Sequence, residues 1–244
     1  MGLKRSTSLN AIYGESGRTP LYTRCLTKII NYKRKLDSSY NNPLLYTAYT
    51  CSKELDSLGY TTWITKFRDI TKKLPLNIPE PCTIKSQLVK SNIEKDFKNK
   101  WLRSICNEEV SPKLRTYKLF KQKFKFEPYL SLHSFKFRKA IAQFRTGSHW
   151  LRIETGRYDN LSKEHRICLQ CKITEDEIHN MIECTRFTTQ REALFITARE
   201  TIPNFNNQSK HAKFISVLSS TDPSLLNALG RFLVATNSEY DYKI

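Results

Sequence analysis

Glycine and proline are scarce in this chain, seven and nine of 244 residues. So few breakers favour long helices over the short, turn-punctuated strands of an all-β domain. No apolar run approaches the roughly twenty residues that a membrane-spanning helix needs. The first ten residues, MGLKRSTSLN, are polar and basic and lack the apolar stretch of a secretory signal. An intracellular protein, of nucleus or cytoplasm, is therefore expected, with no membrane partner. Acids are locally short as well: between Ser111 and Trp150 there is one, Glu127. Two-metal phosphoryl transfer needs clustered carboxylates, and no nucleophile, base and acid form a recognisable set elsewhere. The chain reads as non-catalytic.

What is present is a core and a lopsided charge. Hydrophobic residues make up 39%, enough to bury an interior. The net charge of +18 lies entirely in residues 1–150, which hold 29 Lys and Arg against 11 Asp and Glu; residues 151–244 hold 12 of each sign. Such asymmetry points to a polyanionic partner, most often nucleic acid.

The fold class expected is mainly α, a helical bundle with a small zinc knuckle and a C-terminal helical hairpin. Four helix starts pair a capping residue with Pro at the first helical position: Thr19-Pro20, Asn42-Pro43, Ser111-Pro112 and Asp222-Pro223. An N-terminal helical segment spans residues 1–74. Its first long helix should turn Leu21, Cys25, Ile29 and Leu36 inward. The next should bury Leu44, Leu45, Ala48, Ser52 and Leu55, and a third Trp63, Ile64 and Phe67. Pro75, Pro79 and Pro81 mark a linker over residues 75–82. A basic helical segment covers 83–150, opening with a long helix from Ile84 to Cys106. A zinc-binding segment covers 151–200, and C-terminal helices fill 201–244, with a tail that frays beyond Thr236. Cys25, Cys51, Cys82 and Cys106 are scattered through helical patterns and read as reduced, buried thiols.

The chemistry is concentrated in Ile167–Phe187, ICLQCKITEDEIHNMIECTRF, which spaces Cys168, Cys171, His179 and Cys184 as C-x2-C-x7-H-x4-C. A Cys-x2-Cys turn sets two thiolates on one side of a metal. Two ligands from the next element close a tetrahedron, and three Cys with one His is a closed set used by structural zinc. One structural Zn2+ is the cofactor this predicts. Thr174 and Glu177 have the spacing of a capping box for a short helix carrying His179. His149 and His165 lie nearby, but the four-ligand set is complete without them.

Between Ser111 and Arg145, ten cations face the single Glu127: Lys113, Arg115, Lys118, Lys121, Lys123, Lys125, Lys136, Arg138, Lys139 and Arg145. All are phosphate-binding candidates, joined by Arg152 and Arg157 beside the knuckle. The interleaved aromatics read mainly as core.

The run FRTGSHWLRIETGRYDNLSKEHRICLQCKITEDEIHNMIEC (residues 144–184) resembles the segment that follows the polymerase core in animal non-LTR retrotransposon reverse transcriptases of the jockey and RTE kind. An arginine-threonine-glycine turn, an ETGRY-like stretch, C-x2-C, an acidic cluster, a His and a last Cys match that pattern in place. Upstream, IYGESGRTPLY (Ile12–Tyr22) is similar to the stretch at the thumb end of those polymerases. Thr185 departs from the Pro many relatives carry after the last Cys. The polymerase signature Y-x-D-D and the endonuclease are absent. The resemblance implies a non-catalytic, zinc-stabilised, nucleic-acid-binding module that in a parent element would grip RNA or DNA beside a polymerase core. The alternatives are a zinc-stabilised protein-interaction module, or an orphan fragment of a truncated element without selected function.

Overall fold

A computed structural model describes residues 2–74, 78 and 82–241, the side chain of Asp241 excepted. The protein is mainly helical, and among the described residues there is no strand beyond two isolated bridges, Ser16 with Phe126 and Ile167 with Thr174. No helix of the described residues is long and apolar enough to cross a membrane. The chain divides into two compact units, one built from residues 1–18 and 102–244, the other from Thr19–Trp101. Apart from Ile78 and Cys82, the predicted linker lies outside the described residues.

The unit Thr19–Trp101 contains α2 (Leu21–Asp37), α3 (Pro43–Ser57), α4 (Trp63–Thr71) and most of α5 (Ser86–Cys106). α3 starts where its sequence says, with Asn42 Oδ1 accepting the Leu45 N–H at 3.1 Å. α4 is capped by Thr62 and Thr65 in a reciprocal box. The buried faces of α2 and α3 differ from those read from their apolar residues. In α2 the inward residues are Thr23, Ile30, Lys33 and Leu36, whereas Leu21 and Cys25 are exposed. The reason is Lys33: its stem is buried, and its ammonium pairs with Asp37 at 2.7 Å beneath the rings of Tyr49 and Phe67. Asp37 also accepts the Tyr49 hydroxyl at 2.7 Å and the Cys82 N–H at 2.8 Å. A cation that satisfies its charge internally occupies a core position that a hydropathy pattern assigns to solvent. α3 meets this cluster through Leu45 and Tyr49, so Leu44, Ala48 and Leu55 face outward. Of the four scattered cysteines Cys82 is buried, while Cys25, Cys51 and Cys106 are exposed.

The other unit contains α1 (Leu9–Ser16), α6 (Tyr117–Phe120), α7 (Phe135–Arg145), α8 (Arg152–Thr155), α9 (Thr188–Thr201), α10 (Lys210–Ser219) and α11 (Pro223–Asp241). Its core joins Ile141 and Phe144 of α7, Leu194 and Ala198 of α9, and Leu225, Leu229 and Leu233 of α11. α11 lies chiefly against α7 and α9, and α10 chiefly against α6. Ser111-Pro112 opens a single 3-10 turn, Pro112–Leu114, instead of an α-helix. The tail beyond Thr236 stays helical to Asp241, because Tyr240 docks on Glu175 at 2.7 Å and beside Phe187.

Residues 1–18 are sewn into this unit by buried charge. Arg145 at the end of α7 donates to Glu15 through Nε at 2.8 Å and Nη2 at 3.0 Å. It reaches Glu127 at 3.0 Å, gives Nη1 to the Leu218 carbonyl, and stacks over Phe120 and Tyr129. Lys121 completes the cage on Glu127. Gly17, in the left-handed conformation at φ 61°, lets the backbone pass Phe126 so closely that a Cβ would lie 2.4 Å from the Phe126 nitrogen.

Burial alone would raise the Glu15 carboxyl, but the Arg145 guanidinium outweighs it and holds Glu15 below the usual carboxylate range. Replacing Glu15 with Gln strands part of a buried charge, and we expect a loss of about 3–5 kcal/mol in urea unfolding. A carboxyl with a depressed folded pKa contributes stability that is fully present above its unfolded value, about 4.3, and is lost as pH falls through the folded value. The gap between wild type and Glu15→Gln should therefore narrow on acidification below about pH 4. A gap that stays constant from neutrality into strong acid would contradict this account.

Candidate metal centre

The CxxC half of the site is a tight knuckle. The Cys168 N–H donates to the Ile173 carbonyl at 2.7 Å, and the Lys172 N–H to the Cys168 carbonyl at 2.9 Å. Lys172 takes the left-handed conformation, φ 59°, that such a turn requires. The Glu175 N–H donates to the Arg166 carbonyl at 2.9 Å and closes the loop.

The second half is not the capped α-helix the sequence suggests. Thr174 is bridged to Ile167, and the cap is Asp176, whose Oδ1 accepts the His179 N–H at 2.8 Å. His179–Glu183 then forms a π turn, closed by the Cys184 N–H on the His179 carbonyl at 2.8 Å. This geometry has a purpose that spacing explains. In an α-helix five residues rotate about 500°, which would set Cys184 roughly 140° round from His179. The wider π turn returns Cys184 to the same side, consistent with the tendency of π turns to occur at functional sites.

The outcome is one donor cluster. One ligand atom from each of Cys168, Cys171, His179 and Cys184 lies within 4.8 Å of all the others. Cys184 Sγ is 3.8 Å from Cys168 Sγ and 3.9 Å from Cys171 Sγ, and none of the thiols is in a disulfide. A tetrahedral ion with metal–sulfur bonds of ~2.3 Å has a sulfur–sulfur edge of about 3.8 Å. His179 is 3% exposed, and neither ring nitrogen has a hydrogen-bond partner among the described residues. A buried imidazole with two idle nitrogens is costly unless one of them binds something. Burial lowers the His179 pKa, favouring the neutral, ligating form, and pushes the Cys184 thiol up to about 12. A dication would offset that penalty on the thiolates. These four residues can hold one metal ion.

The surroundings hold the ligands without a hydrogen bond to the ring of His179 among the described residues. Glu175 accepts the Arg152 N–H at 2.9 Å and the Tyr240 hydroxyl, fixing the knuckle to α8 and α11. Glu177, fully buried, accepts from His149 Nε2 at 2.8 Å and Arg115 Nη2 at 2.7 Å; burial would raise its carboxyl, but these two partners bring it down to about 2. His149 is thus committed to Glu177, and His165 to the Ser162 hydroxyl. Arg191, not singled out by the sequence, is buried and donates to the Cys184 carbonyl at 2.9 Å. Gly147, at φ 65°, ends the turn after α7. A Cβ there would lie 2.3 Å from the Lys113 carbonyl oxygen. The chain after it forms the helical turn α8, with Leu151 and Ile153 both buried.

The twelve phosphate candidates divide. Lys121 and Arg145 are 2% and 3% exposed and locked in the carboxylate cage, so both are corrected to structural residues: buried charges already paired cannot reach a phosphate. Arg115 bridges Glu154 and Glu177 and is likewise structural. Lys118 pairs with Glu108 at 2.5 Å, Arg157 with Glu154 at 3.7 Å, and Arg138 donates to the Leu132 carbonyl. Lys113 is half-buried and reaches the Ser6 carbonyl at 3.1 Å. Lys123, Lys125, Lys136 and Lys139 are exposed and Arg152 half-exposed, and none of the five is in an ion pair among the described residues.

No protein-family model, curated protein or solved structure matches the chain. After dialysis we expect close to one equivalent of divalent metal per chain by elemental analysis, falling in Cys184→Ser and in His179→Ala. Loading should also fall on acidification, because the thiols must lose their protons to bind. Equal metal content in wild type and both variants would remove the site.

Proposed function

We propose that the protein is a non-catalytic nucleic-acid-binding module stabilised by one structural zinc ion, as its resemblance to the region after the polymerase core of non-LTR retrotransposon reverse transcriptases implies. The donor set supports zinc: three thiolates and one imidazole at tetrahedral spacing form a closed set that leaves no position for a substrate. Held there, the ion would join the knuckle to the π turn and make the local fold depend on metal.

The observation that carries the nucleic-acid reading is the cation surplus that survives pairing. Even with Arg115, Lys121 and Arg145 committed to internal carboxylates, Lys123, Lys125, Lys136, Lys139 and Arg152 reach solvent without an acidic partner among the described residues. Unpaired side chains of this kind neutralise phosphates, largely without regard to sequence. In a parent element the module would contact template RNA or target DNA beside a polymerase core.

A second reading, a protein-interaction module, has its own observation in the other unit. α3 and its cap expose Leu44, Ala48, Cys51, Leu55 and Leu58, at alternating spacings of four and three residues. That is the period of a helix-packing seam.

A labelled single-stranded RNA should bind with an affinity that falls steeply with salt, the log–log slope being on the order of −3 for four or five phosphate contacts. The triple variant Lys123→Ala, Lys125→Ala, Lys136→Ala should flatten that slope by about 2. Lys121→Ala should instead lower stability. Absence of RNA and DNA binding in the metal-loaded protein would leave the interaction module as the better reading.

A further inference from the structure

The knuckle forms one wall of a cleft in its unit. The cleft has a volume of about 750 Å³, and Cys168, Leu169 and Gln170 line it. Lys4 and Lys139 also line it, as do Arg152 and Arg186. Lys4, Lys139 and Arg152 have no ion-pair partner among the described residues. Arg186 lies over the Tyr240 ring, 5.0 Å from its centroid, and shares Glu239 at 3.3 Å. The acids present are Asp159 and Glu175, the latter taken up by the Arg152 N–H and the Tyr240 hydroxyl. Trp150 adds an aromatic wall.

The features converge on one ligand chemistry. Cations call for phosphate and an aromatic wall for a planar base. The volume is that of a small-ligand site, suited to one or two nucleotides. A duplex keeps its bases stacked inside and shows only its backbone and groove edges, so it cannot put a base into such a cleft. We propose that this cleft receives an unpaired nucleotide segment, so that the module prefers single-stranded nucleic acid to duplex. The cleft gives the nucleic-acid reading above its specific site and rests on that reading. Because Cys168 to Gln170 line the cleft, the ion that holds the knuckle would also shape the site.

The test compares the metal-loaded full chain on a labelled single-stranded RNA of about ten nucleotides and on the duplex of the same sequence. Wild type should favour the single strand. Lys139→Ala with Arg152→Ala should weaken single-strand binding roughly tenfold and flatten its salt slope by about 1.4, with a smaller effect on duplex. Trp150→Ala removes the aromatic wall and should weaken the single strand several-fold. Unchanged circular dichroism and melting midpoint would establish that each variant is folded. Losses equal on single strand and duplex would overturn the cleft proposal. So would cleft variants that bind like wild type while Lys123→Ala with Lys125→Ala binds less, and in that case the nucleic-acid reading stands. If wild type binds neither probe, the reading itself fails and the cleft proposal with it.

Discussion

The guanidinium of Arg145 is the interaction on which the unit with the candidate metal centre depends. It is buried at the end of α7, and its partners come from four places: Glu15 in the N-terminal segment, Glu127 after α6, the Leu218 carbonyl at the end of α10, and the rings of Phe120 and Tyr129. A desolvated cation is tolerable only when nearly all its donors are satisfied. That requirement brings residues 1–18 onto a body otherwise built from residues 102–244, across more than a hundred residues of chain. Immediately after Arg145, Gly147 makes the turn that leads through His149 and α8 to the knuckle. The cage and the metal ligands are therefore linked along one short stretch of chain, and a displaced α7 would move both.

A second buried cluster connects the turn to the ligands. Glu177 is held by His149 on one side and Arg115 on the other, two residues before His179. Glu175 ties the knuckle to α8 and α11. The acidic run at 175–177, which in sequence resembles a helix N-terminus complementing its dipole, sends its three side chains in three directions. One caps a backbone N–H, one is buried against Arg115 and His149, and one bridges elements. Local sequence supplied the need for acids there; the tertiary partners assigned their roles.

Much of the architecture was legible because it rests on local rules. Asn42 caps α3, Asp222 accepts the Leu225 N–H at the start of α11, and Thr62 caps α4. The four metal donors were legible from spacing alone, and they meet in space. What could not be read was whatever depends on a distant partner. The inward face of α2 is set by Lys33, whose burial becomes acceptable through Asp37 and the Tyr49 ring. The π turn from His179 is invisible to a periodicity search, because its hydrogen bond closes over five residues and no residue type announces it.

The charge count shows the same limit most sharply. A window of ten cations and one acid looks like a surface built for phosphate, yet the acids that pair with it besides Glu127 are supplied from outside the window. Glu15 lies about a hundred residues upstream of the window, Glu108 just before it, and Glu154 and Glu177 beyond its end. Lys121, Arg145 and Arg115 serve the interior, while Lys123, Lys125, Lys136 and Lys139 keep their charge for solvent. Neighbours in sequence such as Lys121 and Lys123 therefore belong to different physical systems. One is a desolvated member of a neutral cage, where its charge is cancelled within hydrogen-bond range. The other is a hydrated cation whose field is felt over roughly a Debye length of ~8–10 Å. A polyanionic partner would be drawn by the second kind alone. Its contacts would then fall on the exposed lysines and the walls of the cleft beside the knuckle and not on the whole segment.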